Sequence, residues 1–238
     1  MNKVNRQEQK FYINKRDTFL IETFLENTLL KDTHSSEDGY RISSLYFDTQ
    51  NNDDLNQKLD GIMFREKYRI RIYDNDISSA KFEVKRKLNN CIEKISTKLS
   101  IENINEMQNS NYSVLNKFPD FEYVSKRMEY LNYLPINIVS YNRVAYYLPI
   151  NNIRVTIDKD LRTHGFSNSL TNNFYEINTP VQNTSLDILE IKFEDYLPNY
   201  IKNFLSSFKS VRSSISKYSL CRVHNNTEIH GDDPLIPF

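Results

Sequence analysis

Two neighbouring segments of this chain, residues 65–73 and 81–87, alternate between charged and apolar side chains. Side chains point in turn to the two faces of a β-strand, so residues two apart share a face. We therefore predict two strands, joined by a turn within residues 74–79, that each have one ionic and one apolar face. The ionic positions are Arg65, Lys67, Arg69 and Arg71, then Lys81, Glu83, Lys85 and Lys87; opposite them lie Tyr68, Ile70, Ile72, Phe82 and Val84, with Arg86 as the exception.

A row of like charges is tolerated in water but is costly in an enclosed space. Neighbours on one face of a strand lie about 7 Å apart. Two cations at that separation repel by about 2.4 kcal/mol at an effective dielectric constant near 20. A solvated hairpin accepts this repulsion, whereas an enclosed one needs an anion.

Similar patterns extend along the rest of the chain. We predict strands at 6–13, 40–49, 91–99, 137–148, 151–161 and 187–196, and helices after residue 14, before residue 61, twice within 100–133 and at 198–208. Asn14 or Asp17 is the predicted N-cap of the first helix. The predicted apolar side of that helix consists of Phe19, Leu20, Phe24 and Leu29.

Few helices separate the strands, which favours an antiparallel α+β fold over parallel βαβ units. Two architectures fit the alternation. A sandwich would bury the apolar faces against each other and leave the charges in water. A closed barrel with helices packed outside would instead place the charges in its lumen. The amphipathic helices need an apolar surface to cover, and this favours the barrel.

Composition narrows the class of protein. Lys+Arg and Asp+Glu are both 31, for a formal net charge of zero, whereas a non-specific nucleic-acid binder is usually basic. We find no signal peptide and no apolar run long enough to cross a membrane. The two cysteines, Cys91 and Cys221, are predicted to be free thiols in a reducing compartment, so a cytoplasmic location is expected. No P-loop and no GxGxxG motif occurs.

Eight short motifs follow one another in a recognisable order. They are Glu8-x-Lys10, SLYFDT (44–49), LDGIMFREKYRIRIY (59–73), FEVKRK (82–87), YNRVAYY (141–147), IRVTIDKDL (153–161), LEIKF (189–193) and SKYSL (216–220). Over this span the chain resembles the VTC-type polyphosphate polymerase domain, a branch of the triphosphate tunnel metalloenzyme (CYTH-like) superfamily. The resemblance implies an eight-stranded antiparallel β-barrel, or tunnel, with a charged lumen and helices packed outside. One domain is then expected over residues 1–222, followed by a loose tail at 223–238.

The same resemblance implies a transferase that passes the γ-phosphoryl group of ATP to the end of a polyphosphate chain and releases ADP, assisted by Mn²⁺ or Mg²⁺. The implied catalytic residues are Lys10, Arg69, Arg71, Lys85 and Lys217, and the implied substrate-binding residues are Lys58, Arg65, Lys67, Lys87, Arg143 and Arg154. Glu190 is the implied metal ligand, with Glu8 and Glu83 as further candidates. Guanidinium and ammonium groups suit phosphate oxygens, and carboxylates suit a hard cation.

Alternatives remain open for individual residues and for the function. The alternative for Lys85 and Arg154 is a solvated strand face, the alternative for Lys217 is a surface loop, and the alternative for Glu190 is an ion pair with Lys or Arg. Arg6 replaces the first glutamate of the Glu-x-Glu-x-Lys motif that is usual in tunnel hydrolases, which favours chain extension over hydrolysis. An inorganic or organic triphosphatase and a non-catalytic polyphosphate-binding module are the competing functions.

The expected partners are ATP and polyphosphate, without nucleic acid. We expect this chain to lack the sensor domain and the membrane segments that the resemblance associates with eukaryotic relatives. We therefore expect regulation or export to depend on other proteins, such as a membrane partner.

Overall fold

The structure, a computed structural model, describes residues 6–36, 38–89, 91–165, 179–181, 186–208 and 211–230. The chain divides into two compact units. Unit 1 comprises Met1–Arg41, Tyr141–Leu161 and Gln182–Ser216, and unit 2 comprises Ile42–Ser140, Arg162–Val181 and Lys217–Phe238.

The described elements are strands and helices of moderate length. In chain order they are β1 (Arg6–Asn14), α1 (Lys15–Thr28), β2 (Leu30–Lys31), β3 (Tyr40–Thr49), α2 (Asp53–Leu59), β4 (Phe64–Tyr73), β5 (Asp76–Leu88), β6 (Cys91–Lys98), α3 (Ile101–Gln108), α4 (Glu122–Tyr130), β7 (Tyr133–Leu148), β8 (Ile153–Gly165), β9 (Thr179–Pro180), β10 (Leu186–Glu194), α5 (Asn199–Ser206), β11 (Val211–Arg212) and α6 (Lys217–His230). Short 3₁₀ helices lie at Ser113–Lys117, Pro119–Phe121 and Ile150–Asn152.

Unit 2 contains the predicted hairpin. Its strand order is β7-β3-β4-β5-β6, and the pairs β3–β4, β4–β5 and β5–β6 are antiparallel. Tyr68, Ile70 and Phe82 are fully buried in a core that α3 and α4 cover with residues such as Met107 and Met128. This is the apolar face predicted from the alternation, and the ionic residues therefore occupy the other face of β4 and β5.

Unit 1 repeats the same division of faces. Its strand order is β11-β1-β10-β8-β7, with β1–β10 and β10–β8 antiparallel. The apolar residues of β8 and β10, among them Ile157 and Ile191, pack with Ile21 and Leu25 of α1 and with Ile201 of α5. The polar residues that alternate with them lie on the face that these helices do not cover.

These observations confirm the predicted α+β class and the antiparallel sheet. Eight of the described strands are at least 8 residues long, namely β1, β3, β4, β5, β6, β7, β8 and β10. The closure of these strands into a barrel and the single-domain boundary stay predictions.

Helix α1 begins where it was predicted to begin but buries a different side. Asn14 is the N-cap, and its side chain accepts a hydrogen bond from the backbone N–H of Asp17. Phe19, however, is 69% exposed, and Ile21 and Leu25 are buried instead. The buried positions follow the helical period set by the cap, so the prediction of Phe19 and Leu20 on the buried side was wrong, whereas Phe24 and Leu29 do contact the core.

Two further boundaries differ from the sequence prediction. The hairpin turn is only Asp74–Asn75, both with positive φ, because β5 already begins at Asp76. Positive φ at both central residues matches the right-handed twist of the flanking strands. The predicted loose tail is helical as far as His230, so the expected boundary at residue 222 lies inside α6. The rest of that tail, 231–238, lies outside the described residues.

Both cysteines are free, with Cys91 exposed and Cys221 buried. Among the helices of the described segments, none combines the length and the apolar character that crossing a membrane requires.

Candidate functional site

The ionic face of unit 2 is built by the pairing of β4 with β5. In this register Lys67 is opposite Lys85, Arg69 is opposite Glu83, and Arg71 is opposite Lys81. Arg71 is only 8% exposed and Glu83 only 3%. The centre of this face is therefore shielded from water, whereas Lys85, for which the sequence left a solvated strand face open, is exposed.

Glu83 is the residue on which the cations of this face converge. Its Oε2 atom accepts from Arg69 Nε at 2.8 Å and lies 2.6 Å from Arg69 Nη2 and 3.9 Å from Arg71 Nη1. Its Oε1 atom accepts from Lys94 Nζ at 2.6 Å. Burial alone would raise the pKa of this carboxyl, but the charges of Arg69 and Arg71 and the Lys94 contact lower it to about 2. Glu83 is thus an ionised counter-anion for three cations.

The pKa of Tyr46 responds to the same positive charges. Its hydroxyl accepts a hydrogen bond from Arg69 Nη1 at 2.9 Å. Burial would raise the pKa of the phenol, yet the charges of Arg69, Arg71 and Lys217 bring it below its ordinary value. A tyrosine that ionises more readily in a buried position indicates a local excess of positive charge.

Lys67 titrates in the direction that this field dictates. Its ammonium lies 4.8 Å from the centre of the Tyr218 ring. Burial, together with the neighbouring charges of Lys58, Arg65 and Lys85, lowers the pKa of Lys67 to about 7. An anion that neutralised these neighbours would raise the pKa of Lys67.

The remaining predicted cations of unit 2 surround this centre. Lys58 lies on α2, Arg65 and Lys87 are half-buried on β4 and β5, and Lys85 is exposed. Arg86, the exception in the alternation, pairs with Glu66 and Glu93.

Lys217 is the first residue of α6 rather than part of a surface loop. The start of this helix is held by Tyr218, whose hydroxyl donates to Asp48 Oδ2 at 2.6 Å. Asp48 also accepts from the backbone N–H groups of Asp54 and Leu55 at the start of α2. One buried carboxylate therefore positions both helices that carry Lys217 and Lys58.

In unit 1 the polar face is organised around Glu190, which is 6% exposed. Its Oε1 atom lies 2.6 Å from Lys192 Nζ, and its Oε2 atom lies 3.7 Å from Arg143 Nη2. Arg143 also donates through Nε and Nη2 to the two oxygens of Asp158, at 2.6 and 2.8 Å. The ion pair that the sequence left open for Glu190 is thus present.

Glu8 and Lys10 of β1 complete this group. Glu8 lies 2.8 Å from Lys10 Nζ and 3.9 Å from Lys192 Nζ, and Lys10 also donates to the carbonyl oxygen of Ile215 at 3.2 Å. Arg154 is directed elsewhere: its Nη2 donates to Asp32 at 3.0 Å and to the Tyr40 hydroxyl at 3.3 Å.

Several residues of these faces were missed by the sequence analysis. They are Tyr46 and Lys94 in unit 2, and Asp158 and Lys192 in unit 1. Each lies at the alternating position of a strand that was recognised, within SLYFDT, CIEKISTKL, IRVTIDKDL and LEIKF. The signal was therefore the face on which they lie, although their partners follow only from the strand register.

The carboxylates of unit 1 have the chemistry that Mg²⁺ or Mn²⁺ requires. In the part of the chain that the structure describes, no group of three or more His, Cys, Asp or Glu is arranged to hold a metal ion. Mg²⁺, however, is commonly bound through one or two carboxylates and completed by substrate phosphates and water. Glu190 and Glu8 fit that requirement, because they are adjacent to the same lysine.

The buried strand faces of this antiparallel α+β protein gather arginines, lysines and carboxylates, and guanidinium and ammonium groups suit phosphate oxygens. The VTC domain family model matches residues 5–223, and this chain belongs to that family. The resemblance predicted from the eight motifs is confirmed. Family membership supports a polyphosphate- or triphosphate-related enzyme that transfers phosphoryl groups.

Several solved structures are similar at low identity. A proposed adenylate cyclase from Vibrio parahaemolyticus is 11% identical with a TM-score of 0.49, covering 92% of this chain and 98% of that one. A proposed adenylate cyclase from Bacillus halodurans is 16% identical with a TM-score of 0.46, covering 85% and 88%. The Mimivirus capping enzyme triphosphatase is 12% identical with a TM-score of 0.37, covering 86% and 88%. No curated protein matches the chain.

Proposed function

We propose that this protein is a polyphosphate polymerase that transfers the γ-phosphoryl group of ATP to the end of a polyphosphate chain. The observation that carries the proposal is the convergence of Arg69, Arg71 and Lys94 on the buried carboxylate of Glu83. Cations held by strands in a poorly solvated position attract phosphate oxygens more strongly than solvated ones do. A single carboxylate leaves this group with a net positive charge.

In unit 2 we assign phosphate binding to Arg69 and Arg71, with Lys67, Lys85, Lys217, Lys58, Arg65 and Lys87 as further contacts. We assign Glu83 as the counter-anion of Arg69 and Arg71 rather than as a metal ligand, because three cations lie against its carboxylate. The guanidinium groups can donate two parallel hydrogen bonds to a phosphate, which fixes its orientation.

In unit 1 we assign Glu190 and Glu8 as the residues that would hold Mn²⁺ or Mg²⁺, and Lys10 and Arg143 as phosphate contacts. Arg154 is the more exposed contact of this face. When bound, the metal would neutralise charge on the phosphoryl oxygens. Arg143 is held in place by its paired hydrogen bonds to Asp158, so its direction is set before any substrate arrives.

The transfer itself requires positioning and charge neutralisation more than covalent participation by the protein. A terminal oxygen of the polyphosphate chain forms a bond to Pγ of ATP. The bond between Pγ and the bridging oxygen breaks, and ADP leaves with that oxygen and its electron pair. The arginines and lysines stabilise the charge that accumulates on the leaving and attacking oxygens.

The test is to incubate the protein with ATP, Mn²⁺ and a short polyphosphate primer and to separate the products. We expect longer polyphosphate chains and an equal amount of ADP. Glu190→Gln should lower turnover by at least about tenfold, in line with the loss of a group that acts in the transition state. Glu22→Gln is the matched control, because Glu22 forms a 2.6 Å ion pair with Lys159 in the same unit.

Two results would refute the proposal in favour of specific alternatives. Orthophosphate as the sole phosphate product would indicate a triphosphatase. Tight, salt-sensitive binding of polyphosphate without turnover would indicate a binding module.

A further inference from the structure

Lys192 occupies the position between the two carboxylates that would hold the metal. Its Nζ atom is 2.6 Å from Glu190 Oε1 and 3.9 Å from Glu8 Oε2. Its side chain is 31% exposed, so the ammonium group is partly withdrawn from water. It lies two residues from Glu190 and so on the same face of β10, and no role was predicted for it from the sequence.

The strand register surrounds Lys192 with charges of alternating sign. Lys192 is opposite Glu8 on β1 and opposite Arg154 on β8. Two residues further along, Glu190 is opposite Lys10 and Thr156. Each carboxylate of this face thus has cations as its nearest neighbours, and the face is close to neutral without any ligand.

Thr156 adds an independent observation at the same place. It is buried, and among the described residues its hydroxyl oxygen finds no hydrogen-bond partner. A buried polar group without a partner is costly, so a ligand that supplies one is favoured. Because Thr156 is opposite Glu190, such a ligand would lie next to this carboxylate.

A divalent cation at Glu190 Oε1 would lie close to the Lys192 ammonium, and the two positive charges would repel each other. The ammonium group has three donors and no acceptor, so it cannot itself ligate the metal. Entry of a metal at Glu190 Oε1 therefore favours the displacement of Lys192. A phosphate anion bound at this face would give the departing ammonium a new partner, and the lysine stem is flexible enough to reach it.

We propose that the ammonium group of Lys192 occupies the metal position in the ligand-free protein and moves to a phosphate of the substrate when the metal binds. Metal and polyphosphate then bind with positive coupling, because the phosphate removes the competitor of the metal. The inference deepens the proposed function, since it concerns the metal and the polyanion of that reaction. It makes Lys192 a positioning residue that decides when Glu190 is open to a metal.

The first measurement is Mn²⁺ binding to the full chain without phosphate, monitored through the loss of the electron paramagnetic resonance signal of free Mn²⁺. Lys192→Met should tighten Mn²⁺ binding by about tenfold or more, within the range typical of coupled sites. Adding Glu190→Gln to that variant should abolish the gain. Lys192→Arg keeps a cation in place and should bind Mn²⁺ as weakly as the wild type.

Lys159→Met is the matched control. Lys159 forms an ion pair of the same 2.6 Å length with Glu22, and its side chain is 29% exposed. It lies on β8 next to Asp158, at the alternate position that faces the helix-covered side. This variant should leave Mn²⁺ binding unchanged.

The second measurement is calorimetric binding of inorganic tripolyphosphate with EDTA present, so that no metal takes part. Lys192→Met should weaken this binding several-fold, whereas Lys159→Met should not. Unchanged or weaker Mn²⁺ binding in Lys192→Met, or unchanged tripolyphosphate binding, would overturn the proposal. Lys192→Gln replaces Lys192→Met in both arms if thermal unfolding shows that the methionine variant is not folded.

Neither measurement depends on turnover. A protein that shows both shifts but makes no polyphosphate retains the role of Lys192 and loses the proposed polymerase activity. A protein that makes polyphosphate but shows neither shift retains the proposed polymerase activity and loses the role of Lys192.

Discussion

Glu83→Gln removes the negative charge from the centre of the unit 2 face while keeping the shape of the side chain. Arg69, Arg71 and Lys94 then lose their shared counter-anion, which is buried. The pKa of Glu83 falls from an ordinary 4.5 to about 2 because these charges outweigh its burial. At 1.36 kcal/mol per pKa unit, this fall corresponds to about 3 kcal/mol of folding free energy at neutral pH.

The sign of the pH dependence follows from the direction of this shift. A carboxylate with a lowered folded-state pKa stabilises the protein above its ordinary pKa. That contribution is lost as the pH falls from 4.5 towards 2. The difference in stability between wild type and Glu83→Gln should therefore be largest near neutral pH and should shrink over that acidic interval.

Urea unfolding followed by far-UV circular dichroism measures this difference, since the chain has no tryptophan. Glu93→Gln on the neighbouring strand is the control. Glu93 pairs with Arg86 at 3.2 Å but is 52% exposed, so its loss should cost less than about 1 kcal/mol.

Binding of inorganic tripolyphosphate tests whether Glu83 competes with phosphate for the two arginines. In Glu83→Gln the arginines no longer have a competing carboxylate, so the variant should bind tripolyphosphate more tightly than wild type does. At a concentration of about 100 times the dissociation constant, the ligand should restore about 2.7 kcal/mol. A loss of stability comparable to that of Glu93→Gln, or equal tripolyphosphate affinity in both proteins, would refute the account of this face.

Two further predictions concern buried titrating groups of unit 2. Because the pKa of Lys67 is lowered to about 7, binding of tripolyphosphate at pH 8 should be accompanied by uptake of part of a proton, and Lys67→Gln should lose this uptake. Calorimetry in two buffers of different ionisation enthalpy measures the number of protons taken up. Equal uptake by wild type and Lys67→Gln would contradict the assignment. Burial and the nearby Asp48 raise the pKa of Asp54 to about 8. The folded protein therefore binds this proton more tightly than the unfolded chain does, and wild type should lose stability relative to Asp54→Asn as the pH rises from 4 to 8. Asp48→Asn should instead lower the free energy of unfolding at every pH, because it weakens the start of α2. A stability difference from wild type that depends on pH for Asp48→Asn but not for Asp54→Asn would contradict this prediction.

The alternation of side chains was sufficient to predict both faces of the hairpin. Tyr68, Ile70 and Phe82 pack into the core, and Arg69, Arg71 and Glu83 share the opposite face. This succeeded because side-chain direction in a strand depends only on position along it. The eight motifs, which together span most of the chain, also predicted the family.

Contacts between strands could not be predicted in the same way. That Arg69 is opposite Glu83, and Lys192 opposite Glu8, depends on the register, which a single sequence leaves undetermined. The sequence analysis expected an enclosed row of cations to need an external anion. Glu83, Asp158 and Glu190 instead neutralise much of the charge from within the protein.

Helix α1 shows a different limit. Phe19 and Leu20 are apolar, and apolar character alone favoured their burial. The buried side is set by the cap at Asn14 and by Thr18, whose hydroxyl donates to the buried Asp187 at 2.8 Å. A polar anchor of this kind is not visible in a hydrophobic pattern.

The most direct test of the central claim is a crystal structure of the protein with inorganic tripolyphosphate. The account predicts phosphate oxygens at about 3 Å from the guanidinium nitrogens of Arg69 and Arg71. The Arg69 contact with Glu83 should lengthen as the phosphate takes its place. Tripolyphosphate bound only to exposed lysines, with Arg69 and Arg71 still directed at Glu83, would contradict it.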